Sequence, residues 1–262
     1  MTITVPVLNK KGNKTRKTVE LPAIFGTPYR PDLIKRAVLS EQSYQYQPKG
    51  VSPLAGRLVA ASSPGPGRGI SRAPRTGGNR THHASRGAFA TFAVGGKAAH
   101  SPRAEKKIIE RMNRKEHRLA LKSAIAATAS KTLVLSRGHK ADNIKTLPIV
   151  LSDDIEKLSK TKDVVALLEA LKLEEELERA ANVHIRAGKG KMRGRKYKRP
   201  VGPLFVVSDE EAPVVAAARN IPGVAVTTPK KLKVLDLAPG TFAARLTLWT
   251  EGAIKGIEER WS

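Results

Sequence analysis

The sequence predicts an α/β fold, a mostly parallel sheet with helices on both faces, joined to a long extended basic loop. Three observations predict it. From about residue 130 onward, short apolar runs of strand length alternate with helix-period segments, the order that builds a covered parallel sheet. Residues 49–102 show no period of 2 or 3.6 and are broken repeatedly by Gly and Pro. The 262 residues are 40% hydrophobic but only 4% aromatic, which suits one sizeable core plus an appendage. The expected organisation is a globular domain from residues 1–48 and 103–262, with the loop over 49–102.

Taken in order, Ile3–Leu8 reads as the first strand. Pro31-Asp32 opens a helix with Leu33, Ile34, Ala37 and Val38 on one face. Pro102 precedes a long helix expected from Arg103 to Ala129, with Ile108, Ile109, Met112 and Leu119 among its apolar residues. Its other faces carry Lys106, Lys107, Arg111, Arg114, Lys115 and Arg118, a cationic surface suited to a groove edge. Further strands are expected at Leu133–Leu135, Leu147–Leu151, Leu204–Val207, Val224–Thr227 and Leu246–Trp249. Helices are expected at Asp153–Leu158, Asp163–Leu171, Glu174–Ala181, Asp209–Asn220 and Thr250–Glu259.

Charge points to the partner. There are 48 Lys and Arg against 23 Asp and Glu, a formal net charge of +25. Such a balance calls for a polyanion, and nucleic acid is the default. The 63 residues between Glu41 and Glu105 contain no acid, nine Lys or Arg, and sixteen Gly or Pro. Ordering each residue costs on the order of 1 kcal/mol. The large apolar residues of Lys49–Pro102, namely Val51, Leu54, Leu58, Val59, Ile70, Phe89, Phe92 and Val94, are too few to return it. A phosphate backbone would order the segment, and seven Arg to two Lys favours bidentate contacts over plain screening. The alternative is a solvated linker, but linkers do not exclude one sign of charge.

A second patch, Arg186 to Arg199, has eight cations in fourteen residues and no acid between Glu178 and Asp209. Its glycines permit close approach to phosphate and Tyr197 can stack on a base, although a surface loop or localisation signal would share this composition. The acidic stretch Asp153–Glu178 is expected to face away from nucleic acid.

Other classes are excluded. No cysteine is present, so there is no disulfide, thiolate metal site or cysteine nucleophile. No apolar run approaches the length of a bilayer span, and Met1–Leu8 lacks the features of a secretory signal, so no membrane partner and a cytoplasmic location are expected. Gly65, Gly67 and Gly69, like Gly188, Gly190 and Gly194, miss dinucleotide-loop spacing. His82 and His83, neighbours on an extended chain, should point apart, so RNA contact outweighs a metal role. His100, His117, His139 and His184 read as surface or packing residues, and Asp153-Asp154 as a helix cap. Nothing assembles a catalytic site; no enzyme, cofactor or metal is expected.

The stretches Leu21-Pro22-Ala23-Ile24-Phe25-Gly26-Thr27-Pro28-Tyr29-Arg30-Pro31-Asp32-Leu33, Pro66-Gly67-Arg68-Gly69, Arg75-Thr76-Gly77-Gly78 and Gly87-Ala88-Phe89-Ala90 occur in this order. They are followed by Leu135-Ser136-Arg137-Gly138-His139, by Gly188-Lys189-Gly190-Lys191-Met192-Arg193-Gly194-Arg195, and by Leu237-Ala238-Pro239-Gly240 and Leu246-Thr247-Leu248-Trp249-Thr250-Glu251. In order and spacing they resemble, nearly end to end, the large-subunit ribosomal protein L-four family in its archaeal and eukaryotic-type form. Asn79, where a glycine is expected, and Ala90-Thr91-Phe92-Ala93 depart from that pattern. The resemblance implies a globular domain on the outer face of the large subunit and a loop threading ribosomal RNA to the nascent-peptide exit tunnel. The implied partners are large-subunit ribosomal RNA, neighbouring ribosomal proteins including the one facing it across the tunnel, and the nascent peptide in passing. Expected RNA contacts are Arg57, Arg68, Arg72, Arg75, Arg80, His82, His83, Arg86, Lys97 and Arg103, with Lys189, Lys191, Arg193, Arg195, Lys196, Tyr197, Lys198 and Arg199. The expected loop tip comprises Pro66, Gly67, Arg68, Gly69, Arg72, Arg75, Gly77 and Gly78. The rival classes are an RNA-modifying enzyme, methyltransferase-like with a basic arm, and a chromatin-type architectural protein.

Overall fold

The computed structural model describes residues 4–261, so Ile3, at the head of the first expected strand, lies outside the described residues. The chain divides into two compact units, one running to Ser43 and resuming at Glu110, the other comprising Tyr44–Ile109.

In the first unit β1 (Thr4–Leu8) alternates, burying Val5 and Val7, and turns through Asn9–Asn13 into β2 (Lys14–Glu20), which pairs with it antiparallel. The sequence reading missed β2. It is an exposed edge strand of alternating polar residues, where only Val19 packs on the core. Helix α1 (Pro31–Ser43) buries Ile34, Ala37 and Val38, the face its spacing predicts. Two short strands, β3 (Ala61–Ser62) and β4 (Arg75–Thr76), belong to the second unit.

The expected long helix from Arg103 is corrected: α2 spans Arg114–Thr128. The side chains of α1 explain the late start. Ser40 Oγ donates to the Glu110 carbonyl at 2.6 Å, and the Glu110 N–H donates to Ser43 Oγ at 2.9 Å. Both backbone groups are thereby spent outside a helix. The expected strand Leu133–Leu135 is also corrected; it lies in helix α3 (Lys131–Ser136), which buries Val134 and is followed by Gly138 at φ +96°. Three apolar residues carry too little period to separate helix from strand.

The remaining order is β5 (Ile149–Leu151), α4 (Thr161–Ala170), α5 (Glu174–Ala181), β6 (His184–Ile185), β7 (Tyr197–Lys198), β8 (Leu204–Val206) and α6 (Pro213–Arg219). It continues with β9 (Ala225–Thr227), α7 (Val234–Leu237), β10 (Thr247–Thr250) and α8 (Glu251–Trp261). Asp153–Lys157 forms a 3-10 turn rather than a helix, and α6 begins at Pro213 instead of Asp209, with proline fixed in its first turn.

The six-stranded sheet has the order β2-β1-β5-β10-β8-β9, parallel except for β2. Every residue of β5, β8 and β10 is buried, as a sheet covered on both faces requires. Trp249 and Phe205 are the largest fully buried side chains, and Phe25 meets Trp249 edge-on at 5.8 Å.

Tyr44–Ile109 is built differently. Ala88 is its only buried residue, and Val51, Leu54, Leu58, Val59, Ile70, Phe92 and Val94 are all exposed. The expectation of no regular element is corrected by β3 and β4, which pair antiparallel through Ala61–Thr76 and Ser62–Arg75. Backbone bonds extend this hairpin: Gly77 N–H donates to the Ala60 carbonyl, Thr76 N–H to Arg86 and Ala88 N–H to Pro74. Turns and backbone pairing, not an apolar core, order the segment.

Candidate nucleic-acid interface

Within the loop, β3 and β4 hold the expected tip residues Pro66, Gly67, Arg68, Gly69 and Arg72 in the connection between them, all exposed. Gly65, Gly67 and Gly69 have φ of +74°, +79° and +65°. These are left-handed values, so the alternation of glycine has a reason internal to the chain. Ser63 Oγ closes the connection by donating to the Arg72 carbonyl at 2.8 Å. Arg75 lies in β4, half-buried, with Nη1 donating to the Ser85 carbonyl at 2.9 Å. Gly77 and Gly78 lie beyond β4 and so form no part of the hairpin end. Arg57, Arg80, Arg86, Lys97 and Arg103 are exposed. His82 and His83, expected to point apart, instead bring their rings to 3.8 Å with a 45° tilt, because the chain turns there. No cluster of three metal-ligating side chains occurs among the described residues.

The second patch is a hairpin. β6 and β7 pair through His184–Lys198 and Ile185–Tyr197, and Arg186 donates from its backbone to the Lys196 carbonyl and from Nε to the Arg195 carbonyl. Between them Lys189, Lys191 and Arg193 ride on a 3-10 turn bracketed by Gly188 and Gly194, both at φ +76°. Lys189, Lys191, Arg193, Arg195, Lys196, Lys198 and Arg199 are all exposed. Tyr197 is exposed as well, and Lys196 Nζ sits 5.3 Å from its ring centroid.

Buried charge anchors this hairpin at its root. Glu176, wholly buried on α5, accepts from Arg179 Nη2 at 2.6 Å, from His139 Nδ1 at 2.7 Å and from the Lys140 N–H at 3.0 Å. Burial alone would raise the Glu176 carboxyl, but these donors hold it at about 2. Burial pushes His139 below its ordinary value, so the imidazole is neutral at pH 7. Arg179 Nη2 also donates to the Val201 carbonyl at 2.7 Å. Arg245, buried on the other side of that strand end, donates to the carbonyls of Gly202, Pro203, Gly223 and Asp236, and burial lowers it to about 10. Glu176 and His139 were not anticipated as a pair: 37 positions separate them, and no local pattern marks the contact. Within the acidic stretch Asp153–Glu178, Glu176 is the carboxylate turned into the fold.

Two other acids of that stretch close the carboxyl ends of the parallel strands. Glu156 accepts from the Ser208 N–H at 2.8 Å, from Ser208 Oγ at 2.5 Å and from Thr250 Oγ1 at 2.7 Å. Asp153 Oδ1 accepts from the Gly252 N–H at 2.8 Å, in the first turn of α8; it caps that helix rather than its own. Open α/β sheets bind nucleotides and other anions at this edge. Here Glu156 and Asp153 occupy that edge at the ends of β5, β8 and β10.

A model of the ribosomal protein L4/L1 family matches residues 19–260. The chain belongs to that family. Large ribosomal subunit protein uL4 of Methanococcus vannielii is 48% identical over 258 residues, covering 98% of this chain and 99% of the relative. The same-named protein of Pyrobaculum aerophilum is 50% identical over 240 residues, covering 91% and 84%. That of Saccharolobus islandicus is 44% identical over 257 residues, covering 98% and 94%. As a family member the chain is a ribosomal protein and not an enzyme. No helix among the described residues is long and apolar enough to cross a membrane.

Proposed function

We propose that this ribosomal protein binds large-subunit ribosomal RNA through the loop Tyr44–Ile109 and the hairpin Arg186–Arg199, supports assembly of that RNA in the cytoplasm, and lines the nascent-peptide exit tunnel with its loop. One observation carries the reading: no carboxylate lies between Glu41 and Glu105 or between Glu178 and Asp209, while the cations of the first stretch, half-buried Arg75 apart, and those of Arg186–Arg199 are exposed. Phosphate contact, shape and stacking supply the recognition, with little reading of base edges. Arg68 and Arg72 at the hairpin end meet the tunnel and the passing peptide; Arg57, Arg80, Arg86, Lys97 and Arg103 hold RNA along the way. Neighbouring ribosomal proteins, including one across the tunnel, complete the surroundings.

Sedimentation at high salt tests the assignment. The protein is expected to remain stoichiometric with the large subunit; release into the supernatant, or equal affinity for duplex DNA, would sink it. A stalled nascent chain bearing a photo-cross-linker is expected to label residues 66–72, and labelling elsewhere would remove the tunnel assignment.

A further inference from the structure

The loop unit carries a half-open pocket of about 850 Å³. Glycines shape it. Gly56, at φ +78°, lies so close to Gly96 that a Cβ would sit 2.3 Å from the Gly96 carbonyl oxygen. Part of the wall is apolar, from Val59, Ala88, Phe92 and Val94, and part is cationic, from Arg75 and Arg86, with His83 beside them. Phe92 is 79% exposed and Val94 fully exposed. A phenyl ring left in water, in a pocket it shares with Arg75 and Arg86, is a poor way to stabilise a loop and a good platform for a flat aromatic ligand. Arg75 adds a donor: its Nε is buried without a hydrogen-bond partner among the described residues. A buried donor in that condition is unfavourable until an acceptor arrives.

We infer that this cavity receives one nucleotide extruded from the RNA stack, its base against Phe92 and its acceptors or phosphate on Arg75 and Arg86. The volume is in the range of small-molecule sites. The acid-free walls favour an anionic ligand, and the exposed ring favours a flat one; a nucleotide has both properties. The inference rests on the RNA-binding reading and adds a specific site to it.

The test uses the full chain bound to archaeal large-subunit ribosomal RNA. Short-wave ultraviolet irradiation is expected to give a single-nucleotide adduct on the peptide containing Phe92. Adducts confined to other residues, such as Tyr46 or Tyr197, overturn the site while leaving RNA binding intact, whereas a chain that binds no RNA overturns both readings. An abasic residue at the mapped nucleotide should weaken binding about 5- to 150-fold, the equivalent of ~1–3 kcal/mol for one stacked base. In Phe92→Ala the abasic substitution should make no further difference, and Phe92→Trp should restore the wild-type response. An abasic penalty of equal size in wild type and Phe92→Ala overturns the inference. So does displacement of the RNA by an acidic peptide from wild type but not from Phe92→Ala.

Discussion

Trp249 and Phe92 are both large aromatic residues, yet one is sealed in the sheet and the other stands 79% exposed in the loop. Around Trp249, helices and parallel strands bury nearly every apolar side chain; around Phe92, only Ala88 is buried in 66 residues from Tyr44 to Ile109. The contrast shows two ways for one chain to acquire shape. The body is held by removal of apolar surface from water, and the loop by backbone pairing and glycine turns, which leave its cations free for the RNA contacts proposed above. Stability and binding should accordingly be separable by mutation.

The largest expected effect is in the body. Trp249→Ala should destabilise it by about 3–5 kcal/mol, read as a shift in denaturant midpoint, while Phe92→Ala should shift it by less than about 0.5 kcal/mol. Similar losses from both would erase the distinction. Next comes acid. Glu176 titrates at about 2 in the fold against 4.5 ordinarily, so it contributes about 3 kcal/mol above pH 4.5 that disappears as pH falls toward 2. His139, lowered by burial, acts in the same direction from its ordinary 6.5 downward, because the unfolded chain takes up its proton first. Glu176→Gln should flatten the acid limb of a stability–pH curve; an unchanged limb would place its origin elsewhere.

Binding sharpens the contrast from the other side. Neutralising Lys189, Lys191, Arg193 and Arg195 should reduce the log–log salt slope of RNA affinity by roughly 3 units, at about 0.7–0.9 per phosphate contact, with thermal unfolding unchanged. A retained slope would mean these cations face solvent. The smallest effect should follow deletion of residues 63–80, which removes β4 and the hairpin end but no residue of the main core. Cooperative unfolding of the body should persist within about 1 °C, and its loss would show that the loop stabilises the core.

Much of the body was legible because burial writes periodicity. The spacing of Leu33, Ile34, Ala37 and Val38 and the runs Leu147–Leu151, Leu204–Val207 and Val224–Thr227 each mark an element. Where the deciding force was tertiary, the sequence was silent. Ser40 and Ser43 hold Glu110 out of a helix from 70 and 67 positions away, and β2 exists by pairing with β1 rather than by an apolar pattern. The basic residues of the candidate interface stand out in the sequence by charge alone. Their scaffolding was not: the cavity beside Phe92 and the His139–Glu176–Arg179 cluster depend on contacts that no local motif announces.

The root of the basic hairpin has a mechanical consequence. Arg179 grips the Val201 carbonyl and Arg245 the carbonyl of Gly202, so two guanidiniums clamp adjacent peptide units where the hairpin returns to β8. If the hairpin holds RNA as proposed, tension applied through it would pass by these two hydrogen bonds into α5 and the sheet. The body would then travel with that RNA as a rigid handle, reporting its displacement instead of damping it.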